Sequence, residues 1–491
     1  MSSQAITRRL AEWVAAATPA SVPRRVTEEA KNQVLGMLAA VHAGHFSDTG
    51  RVVSRTVKEW AGGKEATLIP SGERTSLHYA IAGNAGLALS LDYDDYMLGA
   101  RTGTTAVLTS LAVAEKLGVG GAELLLAQVL VNEVAGRVGL STAIGLPDEA
   151  LATFTHLAGG AVAGASLLKL DAGQTEHALG LALVQPGAMP TAAYYGSEAK
   201  LLAAALLAPV GVQAAEFAAN GLRGSHDPFE GDGGLFQTVG RPPLPGAFGG
   251  LGAVWLTESL AYKVYPAAHC LGAVIDCVLA LRRQHNLDPR RVHAVHVGVG
   301  PQTLAMDARS APFVRGADSL AITLTQSVAY PVAAALIDKE LSARQFTRER
   351  IRDADVWALA GRVRLSLDDE LARRSRERNP LRIAGDEGGT AHLFDLANVD
   401  LQAHKTTVGA RVRIEMEGGR SFDIDQEAPT GSGARPFDDR RKAVEDKFRR
   451  ETRFILRKER MEKAIDIVHH LEEASAAQVR ELARLVCSEK G

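Results

Sequence analysis

The sequence predicts a mainly α-helical protein with an α+β region in its second half, and three observations support this. From residue 1 to about 262, apolar residues recur three and four positions apart between breaks containing Gly or Pro, which is typical of successive helices. After Pro266, short runs rich in valine alternate with helical segments, which indicates an α+β region. From Pro436 onward the chain is strongly charged and helical again.

The helices of the first half are marked by their periodicity and by Gly or Pro at their ends. Several positions hold Ala, Gly or Ser where larger residues would be expected, so the helices can approach closely, as in a bundle buried on more than one side. They are predicted in TEEAKNQVLGMLAAVHAG, AVLTSLAVAEKLG, GAELLLAQVLVNEVAGRVG, HLAGGAVAGASLLKL and QTEHALGLALVQPG.

The second half combines strands with helices. RRVHAVHVGVG and GRVRLSL are each typical of a strand, and ARVRIEMEGGRSFDID predicts a hairpin that turns at Gly418-Gly419. Helices are predicted in GAVIDCVLALRRQH, QSVAYPVAAALIDKEL and RIRDADVWALAGRV. We interpret the charged run that begins at FDDRRKAVEDKF as a solvated helix face, stabilised by spaced opposite charges.

Composition excludes several classes of function. A net charge of -2 gives no electrostatic footprint for nucleic acid. The cysteines are Cys270, Cys277 and Cys487, too few for a disulfide framework or a four-thiolate metal site. No uninterrupted apolar run reaches the roughly 18 to 20 residues of a membrane span, and the short amphipathic N-terminal helix has no cleavage signal. We therefore expect a soluble, cytoplasmic protein that does not bind membranes.

Nucleotide motifs are incomplete. GAFGGLGAVW lacks the Gly-Lys-Ser/Thr ending of a phosphate-binding loop, and VGVGPQTLA lacks the third glycine of a dinucleotide fingerprint.

The stretch SLDYDDYML places Asp92, Asp94 and Asp95 among apolar neighbours. Buried carboxylates cost several kcal/mol unless they are hydrogen-bonded, paired or metal-bound. A magnesium site of the terpenoid-synthase type is one possibility, but Leu98 occupies the position of the further acid that such a site needs. Asp92 could also satisfy backbone amides before the following helix, and the other two could be purely structural.

Four segments, in order, resemble the MmgE/PrpD family, which includes 2-methylcitrate dehydratase, cis-aconitate decarboxylase and iminodisuccinate epimerase. The resemblance covers about residues 20 to 470. The four segments are ALSLDYDDYMLGARTGTTAVLTSLAVAEKLG with the helix after it, YYGSEAKLLAAALLAPVGVQAAEFAANGLRGSHDPFEGDGGLF, YKVYPAAHCLGAVIDCVLAL and QSVAYPVAAALIDKELSARQFTRERIRDADVWALAGRV.

The resemblance implies a fold and an assembly. Residues 1–265, completed by C-terminal helices 430–491, would form a large helical domain, and residues 266–429 a smaller, inserted α+β domain. The active site would lie in the cleft between them. The family implies a homodimer that acts on a small carboxylate or carbonyl substrate without a metal, nucleotide or organic cofactor.

The resemblance also implies the chemistry. Proton abstraction next to a carboxylate needs a positioned base and cations that stabilise the developing enediolate charge. Lys200 and Lys263 match the family's two active-site lysines, and Asp92 matches its active-site aspartate. On sequence grounds alone either lysine could instead be an exposed, purely structural residue.

Several positions depart from the family pattern. Thr102 stands where a catalytic histidine is expected, His156 is displaced from the second histidine position, and Leu202-Ala203 replaces a Leu-His pair. The tyrosine expected after the strand near residue 300 is missing; Thr303 or Leu304 stands there. Candidates for proton transfer are Tyr96, Tyr194, Tyr195, His156 and His269, of which His269 could also be structural. Arg101 could clamp a carboxylate, and Thr102 and Thr104 are further candidate substrate contacts.

We therefore predict a cofactor-independent lyase or isomerase, of dehydratase, epimerase or double-bond isomerase type, that has diverged from citrate-like substrates toward specialised metabolism. The alternative is a catalytically silent homologue that acts as a binding or scaffold protein.

Overall fold

The computed structural model describes residues 6–60, 62–98, 100–142, 152–184, 189–238, 244–378, 395–401 and 408–489. Predictions that involve residues 1–5, Gly99, Leu151 and 185–187 lie outside the described residues.

Helices dominate the first half of the chain, with one two-stranded ribbon of β1 (Ala66–Thr67) and β2 (Arg74–Thr75). The five predicted helices correspond to α2 (Arg24–His45), to a π-helical segment (Thr104–Thr109) continued by α5 (Ser110–Leu117), and to α6 (Gly121–Thr142), α7 (Ala152–Leu167) and α8 (Ala172–Ala182). The helices are α1 (Ile6–Ala16), α2 (Arg24–His45), α3 (Asp48–Glu59), α4 (Leu77–Leu89), α5 (Ser110–Leu117), α6 (Gly121–Thr142), α7 (Ala152–Leu167), α8 (Ala172–Ala182), α9 (Thr191–Tyr195), α10 (Leu202–Ala205), α11 (Leu207–Ala219) and α12 (Leu235–Thr238).

The smaller part of the protein is built on a four-stranded sheet. Its strands are β3 (Val292–Val299), β4 (Val363–Leu367), β5 (Ala410–Met416) and β6 (Ser421–Gln426), in the order β4-β3-β5-β6. Its helices are α13 (Gly272–Gln284), α14 (Pro301–Ser310), α15 (Ala321–Leu324), α16 (Ala329–Asp338), α17 (Arg348–Ile351), α18 (Ala354–Ala360) and α19 (Asp369–Arg378).

Strand pairing follows the sequence pattern. β3 pairs in parallel with β4, and antiparallel with β5. The hairpin β5–β6 turns at Gly418 and Gly419, whose φ angles of 89° and 83° suit residues without a Cβ. α13 packs on β5 and β6, while α16 packs on α13 and β4. The predicted fold class, a large helical domain plus a smaller α+β domain, is confirmed.

The C-terminal helices are α20 (Phe437–Thr452), α21 (Lys458–His469) and α22 (Ala476–Leu485). α20 and α21 pack against α2, and α22 packs against α5. The boundaries proposed from the sequence, 1–265, 266–429 and 430–491, stay a prediction.

The interpretation of the last helices as a solvated charged face holds for only one side of α20, on which Asp438, Asp439, Lys442 and Asp446 are exposed. Arg440, Lys447 and Glu451 of this helix are all buried. Arg440 pairs with the buried Glu29 of α2 (2.5 Å), so the charge is compensated inside the protein. Periodicity did not reveal this, because the partners that make burial tolerable lie far away in the sequence.

Two helical segments, Gly121–Ser141 and Glu198–Ala219, are long and apolar enough to cross a membrane by length and composition alone, although polar residues or Pro interrupt them. Their apolar windows are 89% and 61% buried inside the fold, and buried core helices of soluble proteins have the same length and composition.

Three distant segments meet between the helical part and the sheet region. Tyr96 and Ala261 exchange backbone hydrogen bonds (3.0 and 2.8 Å), and the Tyr262 amide donates to the Gly431 carbonyl (2.8 Å). The segment around Tyr96 follows α4. The segments around Ala261 and Gly431 connect the helical part to the sheet region. This crossing places the side chains of residues 92–97 beside those of residues 262–269.

Candidate active site

Asp92 forms the centre of a buried charged group. It has a φ of 49°, in the left-handed region that Asp adopts more readily than most residues. Lys200 Nζ lies 2.5 Å from Oδ1, and Gln326 Nε2 donates to Oδ2 at 2.6 Å. Lys263 Nζ donates to the backbone carbonyl of Asp92 (2.6 Å) and lies 3.1 Å from Oδ2. The carboxylate is therefore held by side chains from three distant segments.

Both lysines are buried, each with 4% of its surface exposed, although long charged side chains are seldom buried without a partner. Lys200 lies in a 3₁₀ turn (Glu198–Leu201) directly after α9, and Lys263 lies in the extended segment before α13. Lys263 also pairs with Asp94 at 3.1 Å. The structure thus brings together Asp92, Lys200 and Lys263; the interpretation of either lysine as an exposed residue is wrong, and their catalytic role remains a prediction.

The charged residues of this group shift one another's pKa values. Burial alone would raise the pKa of Asp92, but the charges of Lys200, Lys263 and Arg101 outweigh burial and hold that pKa well below its usual range. Burial lowers the pKa of Lys200 to about 8, although the Asp92 carboxylate opposes this shift. The ionised Asp92 therefore faces Lys200, whose ammonium group loses its proton far more readily than that of a solvated lysine.

An aromatic ring covers Lys200 on another side. The ammonium nitrogen lies 3.8 Å from the centre of the Tyr194 ring, a cation–π contact. The Tyr194 hydroxyl accepts a hydrogen bond from Arg101. Arg101 is partly exposed, whereas Tyr194 and Lys200 are buried. Arg101 is therefore the most exposed of these three side chains.

A cleft adjoins this group on the side of Lys263. It is narrow, partly open to solvent, and has free space for about one water molecule. Its lining combines polar groups from the joined segments, namely Tyr96, Lys263, Tyr265, His269 and Thr430. Tyr96 and His269 pack with their ring centres 4.6 Å apart. The cleft therefore brings an ammonium group, a phenol and an imidazole together.

His269 is uncharged in this setting. Burial, reinforced by Arg101 and Lys263, lowers its pKa to about 3. Its Nε2 lies 2.9 Å from Gln302 Nε2, so the amide of Gln302 donates and the imidazole accepts there. The remaining proton then resides on Nδ1, which fits a neutral hydrogen-bond donor better than a general base. Burial likewise raises the pKa of Tyr96 beyond its usual range.

Comparison with protein families decides the affiliation. The model described as the MmgE/PrpD N-terminal domain matches residues 8–245, and that described as the MmgE/PrpD C-terminal domain matches residues 265–394. The chain belongs to the MmgE/PrpD family. The resemblance noted in the sequence is confirmed.

A full-length relative of this MmgE/PrpD protein is the cis-aconitate decarboxylase-like protein oryM of Aspergillus oryzae. The two are 24% identical over 516 residues, covering 99% of this chain and 98% of the relative. The family includes lyases of this kind, and the identity is too low to transfer a specific activity.

The residues at or near the positions where the MmgE/PrpD histidines were expected are buried inside the helical part and contact other residues there. The Thr102 hydroxyl donates to Asn132 Oδ1 (2.6 Å) and is fully buried, so it is not placed as a substrate contact. The buried His156 lies 2.7 Å from the Thr105 hydroxyl, and burial lowers its pKa to about 4. Thr104 is buried in the π-helical segment. Tyr195 is buried too, and its ring packs on Tyr194 with centres 4.9 Å apart.

The contacts of the three aspartates distinguish between their alternative interpretations. Asp92 does not begin a helix, and ammonium and amide groups occupy both of its oxygens, so the magnesium interpretation is disfavoured. Asp94 pairs with Lys263. Asp95 accepts from the Gly103 amide (3.2 Å), as expected of a structural residue. Burial, together with Asp94, raises the pKa of Asp95 to about 7.

Several residues that contact the site, or the segments that carry it, were not predicted from the sequence. Gln326 lies within a quoted family segment, but nothing in its spacing distinguished it from other polar residues. Gln302 follows β3 and was not singled out. Thr430 was not singled out, and the α20 residues Lys447 and Arg450 lie in the run that we interpreted as a solvated face. No local pattern could have revealed them, because their roles depend on contacts with distant segments.

Gly103 offers a test of the aspartate loop. A Cβ at this position would lie 2.2 Å from Asp95 Oδ2, and that carboxylate is buried. We expect Gly103→Ala to destabilise the protein by about 1–3 kcal/mol through overpacking, measured by thermal and urea unfolding. Gly300→Ala is the matched control, because that glycine has no neighbour within 4 Å. Equal stability of the two variants would contradict the close contact.

Proposed function

We propose that this protein is a cofactor-independent lyase or isomerase that removes a proton from a carbon next to a carboxylate or carbonyl group of a small molecule. The observation that carries this proposal is the buried Lys200, paired with Asp92 at 2.5 Å and close to Lys263 and Arg101. Family membership supports the lyase class. We also propose a cytoplasmic location, supported by the sparse cysteines, and a homodimer, as the family resemblance implies.

The residues suit the steps of such a reaction. A substrate carboxylate is bound by Arg101, whose planar guanidinium can hold both oxygens, and is stabilised by the charge of Lys263. The neutral amine of Lys200 takes the proton from the adjacent carbon and becomes an ammonium ion. The electron pair of the broken C–H bond moves into an enediolate, which the neighbouring cations stabilise.

The same intermediate serves several outcomes. Return of the proton to the opposite face gives epimerisation, and its return to another carbon gives double-bond migration. Loss of a β-hydroxyl group as water, with a proton supplied by an acid of the cleft, gives dehydration. Tyr96 is the candidate proton donor and the Nδ1–H group of His269 is a candidate hydrogen-bond donor, since both residues line the cleft.

Solvent exchange tests the proposal without requiring the product to be known. The protein is incubated in D₂O with a panel of small carboxylates, including cis-aconitate because of the relative's name, and the carbon-bound protons are followed by NMR. Enzyme-dependent deuterium incorporation or product formation is expected for at least one compound. The alternative, a silent homologue, predicts none across the panel.

The rate should depend on the protonation of Lys200. Because the pKa of this lysine is lowered to about 8, we expect kcat to rise roughly tenfold per pH unit below that value and to level off above it, as the fraction of neutral amine grows. The measurement is kcat with a responsive substrate between about pH 6 and pH 9.5. A rate that falls as pH rises through 8 would show that the ammonium form is required instead.

A further inference from the structure

A second buried polar group lies behind Asp92, on the side facing α20. Tyr93 follows Asp92 in the chain and is fully buried. Its hydroxyl donates to the carbonyl oxygen of Val264 (2.8 Å), the residue that follows Lys263. Arg450 Nη2 donates to the Tyr93 hydroxyl (2.6 Å) and also to the Val264 carbonyl. One guanidinium group of α20 thus joins the two segments that carry Asp92 and Lys263.

Neighbouring residues of α20 extend this group. Glu451 lies 3.1 Å from Arg450 Nε, and its second oxygen accepts from the Ala343 amide of the sheet region (3.3 Å). Lys447 donates to the Tyr93 carbonyl (2.9 Å), with its ammonium nitrogen 3.8 Å from the centre of the Tyr93 ring. α20 therefore holds Tyr93 by its backbone, its ring and its hydroxyl, and also contacts the smaller domain.

The geometry of the site needs such support. Asp92 is in the left-handed conformation, which persists only where the surroundings hold it. Lys263 must also stay close enough to donate to the Asp92 carbonyl at 2.6 Å. Both requirements fix the relative position of the backbone at residues 92–93 and 263–264. Those are the segments that Arg450 and Tyr93 join.

We propose that Arg450, acting through Tyr93, is a positioning residue that sets the distance between Asp92 and Lys263. The inference rests on the function proposed above and deepens it. Arg450 is assigned no contact with the substrate; its role is to keep the aspartate and the two lysines in one arrangement.

The test uses Tyr93→Phe and Arg450→Met, with Arg449→Met as the matched control. Tyr93→Phe keeps the ring that packs on Lys447 and removes only the hydroxyl. Arg449 is next to Arg450 on α20 but pairs with Glu462 (2.7 Å), away from the aspartate loop. With a responsive substrate, we expect Tyr93→Phe and Arg450→Met to lower kcat by about 30-fold with little change in KM, because small misplacements of reacting groups are costly. Arg449→Met should leave kcat unchanged.

Two further readouts separate positioning from stability alone. The inflection of kcat with pH should move in Tyr93→Phe, since the pKa of Lys200 depends on its distance from Asp92. Arg450→Lys should recover part of the rate lost in Arg450→Met. If the variants only unfold at lower temperature, while kcat per folded molecule and the pH profile stay unchanged, the positioning role is overturned.

A crystal structure of Tyr93→Phe decides the same point without any substrate. We expect the contact from Lys263 Nζ to the Asp92 carbonyl, 2.6 Å in the parent, to lengthen or break. If that contact is retained, the inference fails even where turnover is lowered. If the parent protein acts on no carboxylate, the proposed function is wrong. The crystal structure of Tyr93→Phe still tests the positioning role of Arg450 in that case.

Discussion

Lys200→Met should lower turnover by about 10³-fold, the loss expected when a general base is removed. The variant keeps the volume of the side chain but lacks the amine that would take the proton. The measurement is kcat with the substrate found by solvent exchange. Lys58→Met is the control, because Lys58 is an exposed lysine that pairs with Glu73 on the surface, and it should retain the full rate.

The same substitution should also reduce stability. It leaves the carboxylate of Asp92, which is fully buried, without its nearest cation. Removing one partner of a buried ion pair costs about 3–5 kcal/mol. The rate must therefore be measured per folded molecule, with the folded fraction taken from circular dichroism. Turnover close to the parent value would rule out Lys200 as the proton-transfer group.

Asp92→Asn should also lower both turnover and stability, in this case because a buried negative charge is removed instead of a positive one. Asn tolerates the left-handed backbone conformation of this position, so the loop can keep its course. The substitution leaves Lys200 and Lys263 buried without the negative charge between them. We expect a loss of about 3–5 kcal/mol in unfolding free energy and at least about a 100-fold loss of kcat.

The pH profile gives this prediction a second readout. Asp92 raises the pKa of Lys200 against the effect of burial, so its removal should shift the inflection of kcat to lower pH. An unchanged inflection would mean that the carboxylate does not control the protonation of the lysine.

Combining the two substitutions separates catalysis from stability. In Lys200→Met/Asp92→Asn neither member of the pair is charged, so the stability should lie closer to the parent than that of either single variant. Turnover should not recover, since the amine is absent. Strictly additive losses of unfolding free energy would contradict the close pairing.

Much of the fold follows from local pattern. The helices α2, α6 and α13 follow the spacing of apolar residues, and the hairpin β5–β6 follows the Gly-Gly pair between alternating strands. These features depend on interactions between residues a few positions apart, which the sequence displays directly. The π-helical turn at Thr104–Thr109 was not expected, because its hydrogen-bond pattern leaves little trace in residue type.

The candidate site was only partly accessible from the sequence. Asp92, Lys200 and Lys263 were selected by likeness to family motifs, whereas Gln326 and Arg450 were not selected at all. Lys200, Lys263 and Gln326 lie 108, 171 and 234 positions from Asp92 along the chain. No periodicity relates residues at such separations.

The sequence by itself therefore determined the fold class, most helices and strands, the family likeness and the identity of three charged residues. Only the tertiary structure decided that these charges converge in the interior, that Thr102 binds Asn132 inside the helical part, and that one face of α20 is buried. The physical reason is that the burial of a charge depends on compensating partners. Those partners are brought together by the packing of distant segments, and local residue patterns do not encode that packing.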